Sequence, residues 1–113
     1  MTREEQIRLL IDSLREIVSL LERDSSCGWV RHFKMSLDEA IDLSINGWNE
    51  RDLAALSSSI RSVYAGMGSF NDYFPARYDP ATGRYASFPW ADQFDRLRAS
   101  TFNQAVALVV RTK

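Results

Sequence analysis

The sequence predicts an all-α fold, a four-helix antiparallel bundle with a long aromatic loop between helices 3 and 4. Three observations predict it. Apolar residues recur at three- and four-residue steps in four separate stretches. The first two connections are short, which places successive helices side by side and antiparallel. One connection, residues 67–89, is long and rich in aromatic side chains, and loops of that length without structure of their own are uncommon and often functional.

The first helix is read over residues 3–23, where Ile7, Leu10, Ile11, Leu14, Ile17, Val18 and Leu21 form one stripe. Leu9 and Leu20 widen that stripe toward a second neighbour. Thr2 and Glu5 have capping-box spacing. Asp24-Ser25-Ser26 breaks the pattern and offers N-caps for a second helix over about residues 27–46. Its buried face is marked by Val30, Phe33, Leu37, Ala40, Ile41 and Ser44, with Trp29 beside it, and Asn46-Gly47 supplies the stop. Asn49 caps a third helix whose stripe is Leu53, Leu56, Ile60, Val63 and Tyr64, and Gly66 ends it.

In the long connection, Tyr78-Asp79-Pro80-Ala81-Thr82-Gly83-Arg84-Tyr85 reads as a small hairpin. Pro80 suits the turn and Gly83 a left-handed position after it. So short a pair is expected to lie against the helices. Phe70, Phe74 and Phe88 are expected to complete the core beneath the loop. A last helix begins near Pro89-Trp90-Ala91 and runs to about residue 110, carried by Phe94, Leu97, Thr101, Ala105 and Leu108. The run Val106-Ala107-Leu108-Val109-Val110 also suits an extended end.

A chain of 113 residues with 45% hydrophobic and 26% charged residues is sized for one domain, residues 1–113, with a real core. The net charge of −1 gives no global attraction for nucleic acid or an anionic membrane. Charge is uneven: residues 1–52 hold 11 acids and 7 bases (−4), residues 53–113 hold 4 acids and 7 bases (+3). Cys27 is the only cysteine, so no intrachain disulfide can form. With no signal-peptide pattern and no membrane-length apolar run, the expected location is the cytoplasm.

Catalytic and cofactor chemistry finds little footing. His32 is the only histidine and has no partner at useful spacing. A helix N-terminus near Cys27 would lower a thiol pKa, but no nucleophile motif surrounds it, and the expectation is a buried or inert thiol. Two Cys and His residues in all are too few for a zinc site, and no cofactor motif is present. Gly66-Met67-Gly68 lies between helix and loop, the reverse of a phosphate loop. The expectation is therefore a non-enzyme without metal or cofactor. Two surfaces suit a macromolecular partner: an acidic helix face of Asp38, Glu39 and Asp42, and a loop surface of Asp72, Tyr73, Arg77 and Tyr78. The Tyr, Trp and Arg residues of the rear half also suit single-stranded nucleic acid, but the slight negative charge and missing recognition motif weigh against it.

The run Tyr64-Ala65-Gly66-Met67-Gly68-Ser69-Phe70-Asn71-Asp72 resembles a group of small bacterial proteins with a helix followed by a Gly-Met-Gly-Ser-aromatic-or-Leu-Asn-Asp segment. The amphipathic helices and Trp29 early in the second helix are also similar, over about residues 8–75. Small helical proteins of this kind recur beside bacterial toxin genes. The resemblance thus implies an immunity protein whose partner is a cognate toxin or effector, and it carries over no catalytic residue. The other reading of the same features is a non-catalytic interaction or regulatory module, with a homodimer as one form.

Overall fold

The computed structural model describes residues 1–65 and 69–110. The chain is mostly helical, with a small two-stranded antiparallel sheet between its third and fourth helices: α1 (Arg3–Leu21), α2 (Val30–Asn46), α3 (Glu50–Arg61), β1 (Ala76–Asp79), β2 (Arg84–Ser87) and α4 (Ala91–Ala107). A 3-10 turn, Phe70–Asp72, precedes β1. The glycine exit expected at Gly66 and Gly68 lies outside the described residues.

The helices start and stop where local chemistry lets them. Thr2 Oγ1 accepts from the Glu5 N–H at 3.2 Å, one half of the expected box, and opens α1. Asn49 and Asp52 cap α3 reciprocally at 2.8 and 3.0 Å. Gly47, at φ +99°, ends α2 in a conformation that disfavours a side chain. Four boundaries fall inside the expected ones, the fourth being the end of α4 at Ala107 instead of about residue 110. The α1 helix stops at Leu21, and α3 at Arg61. The α2 helix starts at Val30, because Asp24 does not cap it: its carboxylate accepts from the Ser26 backbone and hydroxyl at 3.1 and 2.7 Å and closes a local turn. The end of α4 is helical through Ala107 and turns at Leu108, so residues 106–107 are not extended.

Each helix packs on two others: α1 on α2 and α4, and α3 on α2 and α4. Hydrogen bonds and ion pairs set the directions. Glu22, just after α1, pairs with Lys34 near the start of α2 at 3.3 Å. Ser57 Oγ donates to the Ala105 carbonyl at 2.5 Å and the Tyr64 hydroxyl to the Arg98 carbonyl at 3.0 Å, so α3 and α4 run oppositely. Arg3 gathers one end, donating to the Ala107 carbonyl at 2.9 Å and pairing with Glu50 at 3.1 Å. The other end collects the α1–α2 turn, the 3-10 turn and the hairpin.

The stripe of α1 is the spine of the core: Leu10, Leu14, Ile17 and Leu21 are wholly buried, and Leu20 is buried too. From α2 come Phe33 and Ala40; from α3 Leu53, Leu56 and Ile60; from α4 Phe94, Leu97 and Ala105. Ser44, expected inside, is exposed near the end of α2, whereas Ser36, about two turns earlier, is buried.

Candidate functional site

The aromatic end is built around Phe70. Its ring is wholly buried, with centroids 4.6 Å from Phe33, 5.3 Å from Tyr64, 5.6 Å from Phe94 and 5.7 Å from Trp29. The 3-10 turn, α2 and its N-cap, α4 and the residues just after α3 thus contribute to one aromatic cluster, and its edge-to-face pairs add to area burial. The backbone is held as firmly. Phe70 N–H donates to the Val63 carbonyl at 2.7 Å, and Asn71 Nδ2 donates to the Tyr64 carbonyl. Arg98 of α4 donates to the Phe70 and Tyr73 carbonyls at 2.9 and 2.7 Å and pairs with Asp95 at 2.6 Å, while its guanidinium lies 4.9 Å from the Phe94 ring. The segment that looks like a loop in the sequence is fastened to the residues just after α3 and to α4.

Tyr73 continues the fastening. It is half-buried, not the exposed contact expected, because its hydroxyl donates to Asp24 Oδ2 at 2.6 Å. Asp24 is 7% exposed and has no ion pair within 4 Å among the described residues. Burial opposes its charge, but hydrogen bonds from Tyr73 and Ser26 and the nearby charge of Arg77 outweigh that and hold its carboxyl below its ordinary value. Burial and donation to Asp24 push the Tyr73 phenol far up, so it stays a donor. Cys27 is half-buried, and burial raises its thiol pKa, which outweighs nearby backbone N–H groups; this is the inert thiol expected, not the activated one.

Beyond Tyr73 the chain leaves the helices. Pro75 is buried, and the Phe88 N–H donates to its carbonyl at 2.8 Å, closing the base of the hairpin. Tyr78 pairs with Tyr85 across the strands, and Gly83 adopts φ +69° in the turn. The two tyrosine rings meet at 5.3 Å, and Arg77 lies 5.7 Å from the Phe88 ring, which stacks on Trp90. Contrary to expectation the hairpin does not lie flat on the helices. All four residues of β2 are exposed, Tyr78 by 51% and Tyr85 by 74%. Phe74, expected in the core, is 57% exposed, because Phe70 already fills the apolar site. A cleft of about 270 Å³ separates the hairpin from the α1–α2 turn, with Asp24, Ser26, Arg77, Tyr78 and Tyr85 on its walls.

The structure therefore brings Tyr73, Arg77 and Tyr78 to one end, with Asp72 exposed on the 3-10 turn. It does not bring Asp38, Glu39 and Asp42 there. They are exposed on α2, beginning about 12 Å along the helix from its start at 1.5 Å per residue. Met35 and Ile45, 63% and 75% exposed, flank them, and Asp42 accepts from Asn46 at 2.6 Å. His32 is half-buried against Phe33, and burial lowers its pKa; no described hydrogen bond joins it to the acidic residues. Among the described residues no group of three or more His, Cys, Asp or Glu side chains is placed to hold a metal, and no helix is long and apolar enough to cross a membrane. Sequence reasoning missed Arg98 and Asp24, whose roles arise from contacts 25 to 49 residues away in sequence.

No curated protein and no solved structure matches the chain. A family model described as Domain of unknown function (DUF6966) matches residues 22–80. The match runs from the end of α1 into the hairpin turn and includes Asp24, Phe70, Tyr73, Arg77 and Tyr78. Since it takes in more than half of the chain's 113 residues, the chain belongs to this family of unknown function.

Proposed function

We propose that this protein is an immunity protein, which binds a cognate bacterial toxin in the cytoplasm and occludes its active site without making or breaking bonds itself. In this reading the four helices act as an antiparallel bundle that serves as a rigid scaffold. One observation supports it most: an aromatic hairpin stands clear of the helices while its base is locked by Phe70, Arg98 and the Tyr73–Asp24 bond. Exposed tyrosines on a fixed support present contact area that loses little entropy on binding. The acidic face of α2 would speed and select association with a basic toxin surface.

The test is co-expression with the product of the adjacent gene, with pull-down and growth rescue as readouts. The expected result is a stable complex and rescue, both weakened by Tyr78→Ala with Tyr85→Ala. If neighbouring effectors neither bind nor are neutralised, the reading fails. The exposed Tyr78–Tyr85 pair equally favours self-association through the hairpin. Light scattering across a concentration series separates that homodimer from a monomer that waits for a partner.

A further inference from the structure

A groove of about 550 Å³ lies between the C-terminal end of α3 and the middle of α4, within the size range of small-molecule sites. Its apolar walls are Tyr64 and Phe102, whose rings meet at 5.0 Å and 57°. Arg61 stands at its edge. The Arg61 Nε–H donates to Ser57 Oγ at 3.0 Å, and Ser57, wholly buried, donates in turn to the Ala105 carbonyl at 2.5 Å. This relay fixes the guanidinium plane and leaves both terminal nitrogens without a described partner.

No carboxylate neutralises Arg61 among the described residues. Asp95 lines the same groove, but it is paired with Arg98, whose other bonds go to the Phe70 and Tyr73 carbonyls. The groove thus carries one uncompensated, pre-oriented fork beside an aromatic wall. Asn103, exposed on the α4 side, adds an amide.

We propose that this groove is a binding site for an aromatic carboxylate, with the Arg61 fork on the carboxylate and Tyr64 and Phe102 against the ring. The free end-on edge formed by the two terminal nitrogens of Arg61 matches a carboxylate's two oxygens, whereas a single ammonium does not. The site is separate from the hairpin and stands whether or not the hairpin binds a toxin.

The test titrates the isotope-labelled full chain with benzoate, benzamide and benzylammonium at fixed ionic strength, following backbone amide shifts. Benzoate is expected to perturb residues 61–65 and 98–103 and to bind at least about tenfold more tightly than benzamide, the neutral analogue. Benzylammonium is expected not to bind. Arg61→Gln removes the preference for benzoate, and Ser57→Ala, which frees the guanidinium, weakens it. Arg61→Lys guards against an unfolded Gln variant and is expected to bind more weakly than Arg because it lacks the fork. Equal binding of benzoate and benzamide, an undiminished Lys variant, shifts confined to other surfaces, or no benzoate binding up to about 10 mM overturns the proposal.

Discussion

Phe70 shows how one side chain turns an apparent loop into structure. It is wholly buried and meets rings from α2, from α4 and from Tyr64, just beyond α3. Phe70→Ala should therefore cost about 3–5 kcal/mol, the range for emptying a large aromatic site, as read from urea unfolding midpoints. A loss below about 1 kcal/mol, as at a surface site, would show that the ring is not the keystone. Tyr73 gives a second, pH-dependent case. Asp24 is held below its ordinary carboxyl value, so its contribution is present above the unfolded-state pKa of 3.8 and is lost as pH falls through the folded value. Tyr73→Phe deletes one of the bonds responsible. At pH 7 it should cost about 1.5–3 kcal/mol, the usual worth of a hydrogen bond to a charged group, and the gap from wild type should close in strong acid. A gap that stays constant from neutral to acid pH would mean the hydroxyl acts on packing instead. The aromatic positions were legible in the sequence because apolar residues announce burial. Arg98 and Asp24 were not, because a long-range hydrogen bond leaves no local pattern.

The elements themselves followed from periodicity, and their errors have local causes. The α1 stripe predicted burial position by position, while the start of α2 was misplaced because Asp24 spends its oxygens on Ser26 and Tyr73 rather than on a helix N-terminus. The hairpin was legible from Pro80 and Gly83, which specify the turn, but its posture was not. A two-stranded ribbon normally needs support. Here the support comes at the base, from Pro75, Phe88 and Trp90, and not from a helix face along the strands. It follows that the strands are dispensable for folding. Replacing residues 78–85 with a short Asn-Gly turn should leave the helical circular dichroism unchanged and lower stability by no more than about 1 kcal/mol. Loss of cooperative unfolding in that variant would instead make the hairpin part of the core.

At the scale of the molecule, the long axis of 55 Å is about twice the length of a 19-residue helix at 1.5 Å per residue. The structure sets apart in space the two surfaces that the sequence named: the tyrosine hairpin stands at one end and the acidic face runs along α2. Under the proposed function they should therefore play different parts in docking a basic toxin. Contacts in the desolvated centre of an interface govern how long a complex lasts, whereas peripheral charge governs how fast it forms. If the proposed immunity function holds, then with its toxin captured on a biosensor surface Tyr78→Ala with Tyr85→Ala should raise the dissociation rate by about tenfold or more and leave the salt dependence of association intact. Asp38→Asn, Glu39→Gln and Asp42→Asn together should slow association at low salt, flatten its salt dependence and change dissociation little. The reverse assignment would place the acidic face at the centre of the interface and the hairpin at its rim. Neither variant should move the unfolding midpoint appreciably, since all five side chains are exposed, so a kinetic change can be assigned to the surface rather than to a weakened fold.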